Sequence, residues 1–232
     1  MEQKKGFYQR YLKRFFDIVL SGGVMLVFCW VYAIVAVLVR IKLGAPVLFS
    51  QQRPGKIDPK TGKERIFKMY KFRSMTDARD ENGELLPDEI RLTSFGKKLR
   101  ATSLDELPEL WNILKGDMSI VGPRPLLPKD VSCMDRFQHR RHTVRPGLTG
   151  LAQCCGRNSL NWDTKLATDV EYVEKLSLAM DVQIFFKTIF KVLKRENVEF
   201  DEGADIDLKD WNELKARKAK EDGPTDIHIG TE

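Results

Sequence analysis

FFDIVLSGGVMLVFCWVYAIVAVLV, residues 15–39, runs for 25 residues with one charge, Asp17. As a continuous helix it extends ~37 Å, enough to cross a hydrocarbon core of ~30 Å. It is too long for the apolar part of a cleaved signal peptide and lacks the small-residue exit of one. Basic residues flank both ends: Lys4, Lys5, Arg10, Lys13 and Arg14 before it, and Arg40, Lys42, Arg53 and Lys56 after it. Cationic flanks prefer the cytoplasmic side, so both belong on one face. A single pass cannot satisfy that, whereas a helix that enters, breaks and returns can. Asp17 fits an interface better than the bilayer's middle. Gly22-Gly23 offers a place to bend, although glycine is also common in straight membrane helices. A re-entrant helix is therefore the preferred expectation, with a straight span as its alternative.

The whole chain has 232 residues, 42% hydrophobic and 31% charged, a globular mix with room for one domain and its extras. Its net charge of +6 is uneven: from Glu199 onward there are 11 acidic and 5 basic residues, so the first 198 carry +12. A basic body suits anionic partners without choosing among nucleic acid, lipid head groups and phosphorylated substrates. Cys29, Cys133, Cys154 and Cys155 show no C-x-x-C spacing, which argues against zinc and a disulfide framework. Three segments follow: a membrane-anchoring helix with basic flanks (1–43), a catalytic domain (44–198) and a charged tail (199–232).

Within the middle segment, 46–49 reads as a short strand and 51–65 as a turn-rich loop. Residues 66–75 alternate apolar with basic side chains. Phe67, Met69 and Phe72 are expected to pack, leaving Lys68, Lys71 and Arg73 toward a solvent-filled site or lipid phosphates. An edge strand kept soluble by lysines is the plainer alternative. Residues 76–90 read as a surface loop and 92–100 as a short basic helix. The dyad helix spans 103–114, with Leu107, Leu110, Ile113 and Leu114 as its buried stripe. Residues 118–128 form a proline-rich loop, 131–141 a polar helix, and 144–151 a second fixed loop whose glycines allow close approach of a ligand or a tight turn. Helices follow at 161–178 and 181–195, the second basic and amphipathic, suited to a membrane interface or to packing on the body. One more helix is expected near 209–220. The fold class is thus α+β, mostly helical, with a small β element and interfacial amphipathic helices around the site.

Ser103-Leu104-Asp105-Glu106-Leu107-Pro108-Glu109-Leu110 places two adjacent carboxylates between a cationic run and an apolar helix. Ser103 and Glu106 have the spacing of a capping box, and Pro108 suits a first helical turn. Helix-start amides would favour ionised Asp105 and Glu106. An ionised carboxylate facing a phosphate can act as nucleophile or metal ligand. Acidic residues at helix starts are ordinary, so context must decide. That context is Arg91, Lys97, Lys98 and Arg100, then Arg124 between Pro123 and Pro125, which fix its backbone. Arg145 and Arg157 are further candidate anion contacts, and His139 and His142 candidate support. Gathered acids and bases suit phosphate chemistry assisted by a divalent cation. Aromatics are not interleaved as stacking platforms, so no nucleic-acid partner is expected.

The whole run of motifs resembles the monotopic bacterial phosphoglycosyl transferases, the polyprenyl-phosphate sugar-1-phosphate transferases of the bacterial sugar transferase family. The motifs are Leu12-Lys13-Arg14-Phe15-Phe16-Asp17, Phe67-Lys68-Met69-Tyr70-Lys71-Phe72-Arg73-Ser74-Met75, Ser103 to Pro108, Gly116-Asp117-Met118-Ser119, Gly122-Pro123-Arg124-Pro125, and Val144 to Gln153. The resemblance covers about residues 10–198 in order, and the series is specific where any one motif is weak. It implies Asp105 as nucleophile of a ping-pong reaction on a UDP-sugar, releasing UMP, with undecaprenyl phosphate as acceptor. Glu106 completes the dyad, handling Mg2+ with Asp105, or a proton. Phosphate and substrate contacts fall to Arg100, Lys71, Arg73, Arg124, Pro125 and Arg145. It further implies the bacterial inner membrane, with the catalytic domain on its cytoplasmic face, and is compatible with a homodimer. One departure stands out: the family's membrane helix breaks at a Ser-Pro pair, and the matching place here is Cys29-Trp30.

Overall fold

The computed structural model describes residues 6–156, 161–194 and 207–221. Arg157 lies outside them. A π-helical turn, Tyr8–Leu12, leads into α1 (Lys13–Val27), which is followed by α2 (Cys29–Leu43). No single helix among the described residues is long and apolar enough to cross a membrane. The pair Tyr8–Val27 and Cys29–Leu43, bent by 65°, passes that test only when taken together.

The bend lies at Phe28 (φ −104°, ψ 20°), next to Cys29-Trp30, and not at Gly22-Gly23, which sit inside unbroken α1. No proline causes it. Instead α2 is drawn onto the body: Val35 and Val39 pack against Phe72 and Leu99, and the Tyr32 hydroxyl donates to the Leu107 carbonyl at 2.6 Å. The outer ends of both helices are fastened to that same body. Asp17 Oδ1 accepts from Ser119 Oγ and the Ile120 amide, both at 2.9 Å, and Lys13 Nζ donates to the Val121 carbonyl at 2.9 Å. Lys13 also pairs with Asp181, whose other oxygen accepts from the Tyr172 hydroxyl. At the far end of α2, the Arg73 guanidinium donates to the carbonyls of Leu43 and Ala45.

The hairpin β1 (Leu48–Ile57) and β2 (Glu64–Phe72) is antiparallel, in register from Leu48 opposite Phe72 to Pro54 opposite Ile66. Its first strand is longer than the expected 46–49 and runs through Pro54-Gly55, because cross-strand pairing overrides the turn preference of that dipeptide. Phe67 and Met69 are buried as expected. Period two puts Lys71 and Arg73 on their face, and Phe72 on the other, where it meets α2. Lys71 turns toward Glu106 and Glu109, in keeping with the expected site, whereas Arg73 is buried against the carbonyls of Leu43 and Ala45, which corrects the expectation for that residue.

Short helices α3 (Asp88–Arg91) and α4 (Ser94–Ala101) precede a 3-10 turn, Leu104–Glu106, and then α5 (Glu109–Lys115). The long helix expected over 103–114 is thus two pieces. Ser103 is left-handed (φ 55°) and its side chain caps nothing, so the capping box does not form. Gly116 ends α5 at φ 93°, the conformation in which glycine carries no penalty. Asn112, fully buried, locks α5 onto β2: its Oδ1 accepts from the Tyr70 amide (3.1 Å) and its Nδ2 donates to the Lys68 carbonyl (2.7 Å).

Three-residue strands β3 (Ser119–Val121) and β4 (Gly147–Thr149) pair in parallel. Between them lie α6 (Pro128–Val131) and a 3-10 turn, Gln138–Thr143, in place of the expected polar helix over 131–141. Gly122 and Gly147 press backbone on backbone; a Cβ on either would overlap the other segment. Those glycines serve chain-to-chain contact, not approach of a ligand. α7 (Leu151–Gly156), α8 (Trp162–Lys175) and α9 (Leu178–Lys194) complete the domain, with Tyr172, Val173 and Ile184 packed on Val121 and Val144. α10 (Leu208–Glu221) docks through Leu208 onto Met134 and Leu166. Asn112→Ala should cost about 2–4 kcal/mol, because it strips two buried β2 backbone groups of their partners. Denaturant unfolding in detergent reads the loss; an unchanged midpoint would show that α5 needs no such lock.

Candidate active site

The 3-10 turn presents Asp105 and Glu106 at the foot of α5. Asp105 is 7% exposed. Burial, then the charge of Glu106, pushes its carboxyl up to about 6, against the pull of Lys71, Arg100 and Arg124. Helix-start amides were expected to hold it firmly ionised, but desolvation outweighs them here. Glu106 Oε1 accepts from Lys71 Nζ at 2.7 Å and lies 3.3 Å from Arg124 Nη2. Lys71 Nζ also lies 3.1 Å from Glu109 Oε1.

Glu109 went unnoticed in the sequence, although i+3 from Glu106 is the spacing that puts two residues on one helical face. It is 3% exposed, and burial holds its carboxyl well above the ordinary range. Arg53, read only as a cationic flank, is the other neighbour that was missed. Its Nη1 donates to the Pro125 carbonyl at 3.1 Å and its Nε is buried without a partner. Burial and the nearby Arg124 lower its pKa to about 10.

Of the expected contacts, Lys71, Arg100 and Arg124 surround the dyad. Arg100 is steadied by Ser74, accepting from its Nε at 2.9 Å. The Arg124 backbone is held by the Arg141 guanidinium at 2.6 Å, itself paired with buried Asp169, while the Arg124 side chain stays 43% exposed. Pro125 is buried and contributes its carbonyl to Arg53. Arg73 and Arg145 do not join this group. Arg73 is committed to Leu43, Ala45 and Asp77, and Arg145 Nε donates to the Gly116 carbonyl at the opposite end of α5. Arg91 pairs with Asp88, and Lys97 and Lys98 lie on the exposed side of α4. His139 bonds Glu64, and buried His142 meets the Gly55 carbonyl with its pKa pushed down to about 4 by desolvation, then by Arg141. Both histidines tie down the hairpin.

Among the described residues no three His, Cys, Asp or Glu side chains converge as a ready metal cage. Two adjacent carboxylates nonetheless fit Mg2+, which takes one or two protein carboxylates and completes its shell with phosphate and water oxygens. The arrangement can therefore offer a carboxylate nucleophile, two or three cations for a diphosphate, and oxygen ligands for a divalent ion.

Asp105→Asn should raise stability at neutral pH by about 3 kcal/mol, the equivalent of roughly two pKa units. A carboxyl whose folded pKa is raised binds its proton more tightly in the folded state. Wild-type stability should therefore fall as pH rises from about 4 to about 6, and the variant should lack that slope. Thermal unfolding across pH measures both, and a less stable Asn variant would contradict the buried, strained carboxylate.

A family profile described as bacterial sugar transferase matches residues 8–195. The chain is 47% identical over 190 residues to the uncharacterized sugar transferase EpsL of Bacillus subtilis, covering 81% of this chain and 90% of that protein. It is 35% identical over 212 residues to the undecaprenyl-phosphate galactose phosphotransferase of Salmonella typhimurium, covering 81% and 41%. It is 37% identical over 191 residues to the UDP-N-acetylgalactosamine-undecaprenyl-phosphate N-acetylgalactosaminephosphotransferase of Aeromonas hydrophila, covering 79% and 44%. The chain thus spans nine tenths of the first and about two fifths of the longer two. Every part of the dyad neighbourhood falls within the matched region, and the chain belongs to the bacterial sugar transferase family, as a phosphoglycosyl transferase.

Proposed function

We propose that the enzyme transfers a sugar-1-phosphate from a UDP-sugar to undecaprenyl phosphate through a covalent intermediate on Asp105. The carrying observation is a buried carboxylate with its pKa raised to about 6, ringed by Lys71, Arg100 and Arg124. Such a group is ionised at neutral pH yet more basic, and so more nucleophilic, than an ordinary aspartate. Asp105 attacks the sugar-proximal phosphorus; the bond to the bridging oxygen breaks, and UMP leaves with the electron pair. An oxygen of the acceptor phosphate then attacks the same phosphorus, the bond to Asp105 breaks, and the carboxylate is regenerated. Arg124 and Lys71 neutralise charge on the phosphoryl oxygens as it develops. Glu106 holds both cations in place. Mg2+, bound by Asp105 and Glu106, would add Lewis-acid polarisation of the diphosphate.

The relatives named for transfer to undecaprenyl phosphate support the acceptor, and the exposed apolar side chains of α1, α2 and α9 support a membrane location. Leu26 and Ile41 are 78% and 70% exposed, and Phe186 and Phe190 are 55% and 62%. With both outer ends of the α1–α2 pair bonded to one body, the pair dips into the leaflet and returns. The basic residues flanking both ends then put the catalytic domain on the cytoplasmic face.

UMP release from a panel of UDP-sugars with Mg2+, with and without undecaprenyl phosphate, tests the proposal and identifies the sugar. Turnover should need the lipid, follow ping-pong kinetics, climb as pH rises through about 6, and fall by about a thousandfold or more in Asp105→Asn. Multiple turnovers without lipid would instead mark a phosphohydrolase, and full activity in Asp105→Asn would end the covalent mechanism.

A further inference from the structure

A cavity of about 320 Å³ opens between α1 and α9 and reaches inward to Ser103 and Glu106. Leu20, Val24, Leu107, Leu110, Phe185 and Ile189 form its walls. Its mouth is marked by residues that both line it and stand exposed: Leu20 at 43%, Val24 at 37% and Ile189 at 38%. These belong to the same apolar faces that meet lipid on the reading above. Apart from Lys191, the polar side chains that α1, α9 and β4 turn into the wall are occupied with the protein itself. Thr149 and Thr188 share a hydrogen bond of 2.6 Å, Thr188 donates to the Ile184 carbonyl, and Ser21 donates to the Asp17 carbonyl. Gln153 Nε2 donates to the Leu148 carbonyl, leaving only its Oε1 buried and unpartnered. An apolar, flexible chain fits such walls; a nucleotide or a sugar does not.

We infer that this cavity receives the phosphate-proximal isoprene units of the acceptor lipid, an inference that rests on the transferase reading of Asp105. One end of the cavity lies at the dyad and the other at the leaflet, so a chain threaded through it presents its phosphate beside Asp105 and Glu106. Lys71 and Arg124, which meet Glu106, then lie at the polar end, and Lys191 on α9 adds one cation to a lining that is otherwise mostly apolar. The cavity is short, so only the first units are enclosed and the rest of the chain leaves between α1 and α9. A phospholipid would suit the same walls, but its phosphodiester brings one negative charge to Lys71 and Arg124 where the acceptor's phosphomonoester brings up to two.

Val24→Trp and Ile189→Trp narrow the mouth at positions already exposed enough to accept a larger ring. Two half-reactions separate the sites: exchange of labelled UMP into UDP-sugar without lipid, and transfer to undecaprenyl phosphate. The expected result is a KM for the lipid raised about tenfold, with UMP exchange within about twofold of wild type. An unchanged KM would overturn the inference and assign the cavity to bilayer acyl chains. A second measurement needs no variant: a diazirine-bearing, three-isoprene phosphate crosslinked to the wild-type enzyme in detergent. Label within 20–24, 107–110 or 185–192 supports the cavity, even if the tryptophan variants lose UMP exchange through misfolding; label elsewhere overturns it. Failure of the wild type to exchange UMP would count against the covalent reading of Asp105, while the crosslink still decides the cavity.

Discussion

Lys71 sets one positive charge between the carboxylates of Glu106 and Glu109, at 2.7 Å and 3.1 Å, with all three side chains at least 85% buried. Removing it would leave two like charges facing each other out of water, beside a third on Asp105, at a cost of several kcal/mol. Burial already raises Asp105 and Glu109 toward the neutral form, so the cluster sits near the limit of what the interior tolerates. Holding the ammonium there requires β2 at one register, because a slip by one residue would turn Lys71 to the opposite face. The hairpin pairing fixes that register from one side and Asn112 fixes it from the other. The bend of the apolar helices depends on the same place, since Tyr32 bonds the carbonyl of Leu107, one residue beyond Glu106.

A body carrying +12 suggests a broad anion-binding face, yet much of that charge is structural. Arg14 donates to the carbonyls of Ile113 and Leu114, and Arg145 to that of Gly116, so two guanidiniums serve the carbonyl end of α5. Arg73 does the same for the end of α2, and Lys13, Arg141 and Lys71 are paired with buried carboxylates. A residue count cannot separate a cation that waits for phosphate from one that satisfies a backbone carbonyl. Exposure helps: Arg124, at the dyad, stays 43% exposed, whereas Lys13 and Arg141, tied to buried carboxylates and backbone carbonyls, are 11% and 2%.

The long-range outline was legible because its signals are long. A 25-residue, mostly apolar stretch with one charge, a period-two run and an ordered series of motifs each exceed what chance or local context can imitate. The errors were local. A capping box was read from Ser103 and Glu106, but spacing cannot reveal that Ser103 adopts φ 55° at the end of the preceding helix. β3 and β4 have three residues each, too short for periodicity, and are joined by glycine contacts that only the folded chain creates. The bend at Phe28 has no proline or glycine because tertiary bonds impose it. Lys71 and Arg73 share the odd-numbered face of Phe67 and Met69, but two residues further along the strand that face meets the carbonyl end of α2, which takes Arg73 away from the dyad.

Placing the dyad where polar and apolar surfaces meet resolves a conflict in the proposed chemistry. A phosphosugar on an aspartyl carboxylate is an activated mixed anhydride, open to attack by water until the lipid arrives. The burial that raises Asp105 to about 6 also limits the water that can reach it, so one desolvation serves both nucleophilicity and protection. Its cost appears as lost stability, partly offset by Lys71, Arg100 and Arg124. The same cations would be largely screened by solvent at an exposed site. At the lip of an apolar cavity they act at short range and low effective dielectric, where a diphosphate gains most from them. A fully exposed dyad would lose the protection, and a fully apolar one could not hold the donor's charge; the boundary between the two satisfies both demands.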